Sequence, residues 1–149
     1  MTEERPSSEH PSAEHQRPAG VSDATVAALG TLSEALEVVE HARGHLYAFH
    51  RLCGTADLTL GKAADELREA GHADLADTVE RDVIGRNILE GRWSFQVVEE
   101  YDDGYYTAVK DAERRARDEL VGGRRHLFEA EMKEDRRTRG RPEHTATPE

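Results

Sequence analysis

Apolar residues recur every three or four positions along most of this chain, which is the spacing of one face of an α-helix. The clearest run is Leu29, Leu32, Leu36, Val39, Ala42, Leu46, Phe49 and Cys53. Ser22 precedes this run as a suitable N-cap, and Gly54 stands where a C-terminal cap belongs. The pattern therefore predicts a first helix over 23–53.

Two further helices follow in the pattern. A second is predicted at about 57–70, capped by Asp57 and ended by Gly71. A third starts near Asp74, but its apolar positions change side between Val83 and Ile84. It is predicted either to be buried on two faces or to bend near Gly85, and to end by residue 91.

A fourth helix is predicted to start with Ser94 as N-cap, after a turn that holds Trp93. Its apolar stripe is Val98, Tyr101, Tyr105, Val109, Ala112, Ala116, Leu120 and Leu127. Gly122 and Gly123 are expected to kink or split it. No segment alternates as a strand would, so we predict an all-α fold, an antiparallel four-helix bundle or one with a fifth C-terminal helical piece.

The two ends of the chain hold few large apolar residues. Residues 1–22 are rich in Pro, Ser, Glu and His, and residues 136–149 are rich in Arg. Such segments bury too little apolar surface to offset the entropy of ordering, so both are predicted to be disordered tails. The remaining residues, 23–135, are long enough for one helical domain.

The formal net charge of −11 falls on the domain, because the charges of the two tails cancel. Phosphate repulsion makes nucleic acid an unexpected partner, and an anionic membrane is disfavoured for the same reason. The four Arg of the C-terminal tail are interpreted as solubilising.

Composition also points to a compartment. Cys53 is the single cysteine, which rules out an intramolecular disulfide and suits a reducing environment. Signal-peptide and transmembrane patterns are absent from the sequence, so a cytoplasmic location is expected. Arg outnumbers Lys 17 to 3, as is common in GC-rich bacterial genomes.

The strong catalytic and cofactor motifs are absent from the sequence. It has no Gly-rich phosphate loop, no Cys-x-x-Cys, no His-Glu-x-x-His and no Glu-x-x-His of the di-iron bundles. We therefore expect no cofactor and no metal. His41 and His45, four residues apart, are a weak alternative as metal ligands, since their helical phase places them off the apolar stripe.

Several polar residues fall on or beside the apolar arcs of the predicted helices. They are Arg43, His50, Arg86, Asp102, Tyr105 and Glu119. One interpretation is that basic and acidic members pair inside the bundle and fix its register. The other is that they line a polar pocket, in which His50 titrates and an Arg holds an anion.

Two functions follow from these interpretations. The favoured one is a non-enzymatic helical module that acts by protein–protein contact, with a second copy of itself as one candidate partner. The alternative is a ligand- or metal-binding bundle, including an enzyme, built on the polar set. Tight pairing of the polar residues favours the first, and a cavity among them favours the second.

Overall fold

The structure, a computed structural model, describes residues 10–147, and over these residues the chain is all-α, as predicted. The helices are α1 (Asp23–Glu69), α2 (Ala73–Asp82), α3 (Ser94–Tyr101), α4 (Thr107–Val121) and α5 (Leu127–Arg136). A π-helical segment, Asp102–Tyr106, joins α3 to α4, and a 3-10 turn covers Ala13–His15. In the described range, β-type pairing is limited to an isolated bridge between Leu89 and Arg92.

Helix α1 is one helix of 47 residues where the sequence predicts two. The hydroxyl of Ser22 accepts a hydrogen bond from the Thr25 N–H, so its role at the start of the helix is confirmed. The predicted break at Gly54 is wrong, because a helix interior tolerates glycine at a cost of about 1 kcal/mol. Asp57 does not cap a new helix; its carboxylate accepts a hydrogen bond from the Gly85 N–H.

The later boundaries follow the predictions more closely. The chain turns at Gly85, where φ is +72°, so the bend is confirmed, although α2 already ends at Asp82. Trp93 rather than Ser94 occupies the N-cap position of α3, and its N–H donates to the Gln96 side chain. The double glycine ends α4 with two residues of positive φ, as the predicted split requires.

The chain divides into two compact units. The first comprises residues up to Val38 together with those from Val109 onward. Its small core consists of Val26, Val121 and Leu127, all buried, with Val21 and Leu29 packed against them.

Parts of both predicted tails make defined contacts in this first unit. The Arg17 guanidinium binds the carboxylates of Glu131 and Asp23, and Arg137 binds Glu134. The ordered structure therefore starts before residue 23 and continues past residue 135. Residues 1–9 and 148–149 of the predicted tails lie outside the described residues.

The second unit comprises Val39–Ala108. Glu40 bonds Tyr106, Arg43 bonds Asp102 and His50 bonds Ser94, so residue numbers rise along α1 as they fall along its partner. The two helical segments are therefore antiparallel, as predicted. The buried apolar residues of this unit are Ala64, Ala76 and Val98, which make a very small core for 70 residues.

Between residues 10 and 147, every helix is too short or too polar to cross a lipid bilayer.

Candidate functional site

Two of the predicted site residues form a salt bridge: Arg43 on α1 and Asp102, the first residue of the π-helical segment. Arg43 Nε lies 2.7 Å from Asp102 Oδ1, and Nη2 lies 2.9 Å from Oδ2. This two-point geometry matches the planar fork of the guanidinium to the carboxylate. The acid and the base therefore satisfy each other rather than facing a cavity.

Two tyrosine rings complete the surroundings of Arg43. Its guanidinium carbon lies 4.9 Å from the ring centroids of both Tyr47 and Tyr106, within cation–π range. The Tyr106 hydroxyl donates to the Glu40 carboxylate at 2.5 Å. This hydrogen bond, with a smaller effect of burial, raises the pKa of Tyr106. The Arg43–Asp102 ion pair and the contacts of Tyr106 thus join α1 to the π-helical segment.

Of two adjacent tyrosines, the one that contacts α1 in the structure is Tyr106, whereas the predicted site residue is Tyr105. Tyr105 is 60% exposed and contacts Tyr101 ring to ring, whereas its neighbour Tyr106 carries the contacts to α1. The π-helical segment accounts for the difference between Tyr105 and Tyr106. A π turn holds one more residue than an α turn, so it changes which face of the helix the following residues occupy. An unbroken α-helical phase could not have identified Tyr106.

His50 lies half-buried on α1, and its Nδ1 is 2.8 Å from the Ser94 hydroxyl. Ser94 was predicted as a cap, and here its hydroxyl instead joins the first turn of α3 to α1. Among the described residues, no buried side-chain nitrogen or oxygen lacks a hydrogen-bond partner. The polar set therefore provides no unsatisfied group aimed into a pocket.

The remaining two predicted residues do not join this set. Arg86 is exposed in the loop after α2, because the helix predicted to carry it ends at Asp82. Glu119 belongs to the other unit, is exposed, and pairs with Arg115 one turn earlier on α4 at 2.8 Å. Among the basic and acidic members of the predicted polar set, the structure therefore pairs Arg43 with Asp102 and places Arg86 and Glu119 apart from them.

His41 and His45 are exposed on α1, and their rings face each other. Their Nε2 atoms are 3.1 Å apart, and the ring centroids are 4.7 Å apart. Over residues 10–147, His, Cys, Asp and Glu side chains form no group of three or more that could hold a metal ion. The pair therefore provides two nitrogen ligands, and the described residues supply no third one.

One face of α1 in the second unit is free of formal charge, and we call it the neutral face. It consists of His41, His45, Phe49, Leu52, Ala56, Thr59 and Ala63, spaced by three or four residues. All are exposed except Ala63, which is half-buried. At 1.5 Å per residue the face runs for about 33 Å. The sequence pattern was used only to find the buried stripe of each helix, so it did not predict this exposed face.

An apolar groove adjoins the neutral face at Ala56. It has a volume of about 430 Å³, and its apolar lining residues are Cys53, Ala56, Leu60, Val83, Ile88 and Trp93. The predicted site residue Arg86 also lines it, together with Asp57, Asn87 and Ser94. Trp93 is 56% exposed, and its ring meets that of Phe95 edge to face at 5.3 Å. Cys53 is half-buried in this lining, in keeping with its predicted role as a small apolar residue.

The comparisons with known proteins found no matching family model, curated protein or solved structure.

Proposed function

We propose that this chain is a non-enzymatic helical module that acts by protein–protein contact, and that its partner is a second copy of the chain. The observation that carries the proposal is the imbalance of apolar residues in the second unit. Three apolar residues are buried there, while eleven large hydrophobic side chains are exposed. Exposed apolar area on this scale is typical of surfaces that a partner covers.

Charge favours a second copy on the neutral face. The second unit carries fourteen carboxylates against seven basic side chains, so two copies repel each other over most of this surface. The neutral face carries no formal charge at pH 7. It is therefore a surface on which two copies of the unit can meet without placing like charges together.

The available apolar area fits a stable pair of chains. Phe49 and Leu52 on the neutral face are 42% and 66% exposed. Val83, Ile88 and Trp93 in the groove, and Phe95 beside Trp93, are 38–56% exposed. Together they offer on the order of 500 Å² of apolar side-chain surface. A standard interface buries about 800 Å² per partner, of which about 60% is apolar.

The polar set supports the contact function over the ligand-binding alternative. Arg43 is bound by Asp102, His50 by Ser94 and Glu119 by Arg115. A pocket for an anion or for acid–base chemistry needs at least one such group turned toward the ligand. The Arg43–Asp102 and His50–Ser94 pairs instead join α1 to its antiparallel neighbour, and the Arg115–Glu119 pair lies within α4.

Sedimentation velocity over a range from low to high micromolar concentration tests the proposal. The wild-type chain is expected to shift from monomer to dimer. The substitution Leu52→Glu adds a charge in the middle of the neutral face and is expected to weaken the dimer at least about a hundredfold.

Leu58→Glu is the matched control, because Leu58 is 79% exposed on the same helix but lies about 120° away from Leu52. This variant is expected to dimerise like the wild type. A wild-type chain that stays monomeric throughout the range would overturn the proposal. Equal effects of the two substitutions would place the contact elsewhere.

A further inference from the structure

We propose that His41 and His45 together bind one divalent transition-metal ion of the class that prefers imidazole, such as Zn²⁺, Ni²⁺ or Cu²⁺. Both ligands belong to the same chain, so the site forms without a second copy. His41 and His45 lie at one end of the neutral face, so a bound ion places charge on the surface proposed for self-association.

The distance between the two rings fits two neighbouring ligands of one ion. Zinc binds imidazole nitrogen at about 2.0–2.1 Å. Two nitrogens that are 3.1 Å apart, as the Nε2 atoms are here, then subtend an angle of about 100° at the ion. This value lies between the octahedral and tetrahedral angles.

The backbone supplies this geometry without rearrangement. Residues four apart lie one above the other on a helix, and His41 and His45 fall within the unbroken helix α1. Their Nε2 atoms already face each other, so an ion that binds between them requires no change of the backbone. Both rings are exposed, which leaves the ion open to approach from solvent.

The charge around the site suits a cation. The second unit has twice as many carboxylates as basic groups, and this excess raises the local concentration of divalent cations. No third protein ligand joins the pair among residues 10–147, so the other coordination positions stay open to water or to an incoming ligand. An open ion of this kind is a chelate site rather than a closed structural one.

Calorimetric titration of the full chain with ZnCl₂ near neutral pH tests the site. The wild type is expected to bind one ion per chain through the pair. His41→Ala and His45→Ala are each expected to weaken this binding by more than about tenfold, because loss of a supporting residue alone already costs 10–100-fold.

His72→Ala is the matched control, since His72 is exposed in the same unit and outside the pair. It is expected to leave the affinity unchanged. The titration is repeated on Leu52→Glu, so that the outcome does not depend on self-association. If neither His41→Ala nor His45→Ala changes zinc binding, or if the wild type binds none, the proposal is wrong.

Discussion

At the scale of single residues, Arg43 contacts three side chains of the second unit. Its guanidinium is held edge-on by the Asp102 carboxylate and lies over the rings of Tyr47 and Tyr106. The hydrogen bonds with Asp102 raise the pKa of Arg43 further above its already high ordinary value, so it stays charged at any pH the fold survives. A base that is fixed in this way positions helices and takes no part in proton transfer.

Tyr106 gives a test of this arrangement through its titration. Its O–H donates to Glu40, and ionisation would remove that bond and set two negative charges together, so its pKa is raised. A raised pKa in the folded state stabilises the fold below the ordinary tyrosine pKa of about 10, and this contribution is lost as the pH rises through the raised value. Tyrosinate absorbance of Tyr106→Phe is therefore expected to lack the highest-pH component of the wild-type curve.

Tyr105→Phe is the control for this titration, because Tyr105 is the adjacent residue and is mostly exposed. It is expected to keep the highest-pH component of the wild-type curve. If the late component survives in Tyr106→Phe, the hydrogen bond to Glu40 does not govern this hydroxyl.

At the scale of elements, the buried positions predicted from helical periodicity agree with the structure before the π-helical segment and only in part after it. Before the segment, the predicted phase holds, and Val98 is buried and Asp102 faces Arg43. After it, the agreement is partial. Three predicted positions, Tyr105, Ala112 and Leu120, are exposed, and the residue after each of them is half-buried or buried, whereas Val109, Ala116 and Leu127 are half-buried or buried as predicted. Periodicity assumes 3.6 residues per turn throughout, and a local insertion leaves no mark in that pattern.

The uninterrupted course of α1 through Gly54 makes a second element-scale prediction. A Cβ added at Gly54 meets no atom within 4 Å, and the residue is helical. Gly54→Ala is therefore expected to raise the free energy of unfolding by about 0.5–1 kcal/mol, by restricting the unfolded chain. Urea denaturation followed by helical circular dichroism measures this change.

Gly71 provides the matched comparison, since it has equally open surroundings but a φ of +88° at the end of α1. Gly71→Ala forces a side chain into the left-handed region and is expected to lower the free energy of unfolding by about 1–2 kcal/mol. A loss of stability in Gly54→Ala would instead mean that the helix ends near residue 54, as the sequence pattern alone predicts.

At the scale of the whole molecule, the periodicity of apolar residues predicts the helical class, and the composition accounts for the small core. A hydrophobic fraction of 36% is low for a folded domain, and the buried apolar residues are correspondingly few. The exposure of individual apolar residues could not be predicted. Phe49, for example, belongs to the predicted buried stripe and is nevertheless 42% exposed. The apolar groove depends on the loop after α2, whose path no periodic pattern encodes.

The net charge of −11 makes the salt dependence of self-association a test of how the copies meet. If they meet on the neutral face, the attraction is apolar and the long-range repulsion between two acidic chains opposes it. Salt shortens the reach of that repulsion to about 10 Å at 0.1 M, so the dimer dissociation constant is expected to fall as NaCl is raised. Sedimentation equilibrium at constant pH measures it, with Leu58→Glu run alongside. A dissociation constant that rises with salt would instead point to ion pairs between the copies, which the neutral face cannot supply.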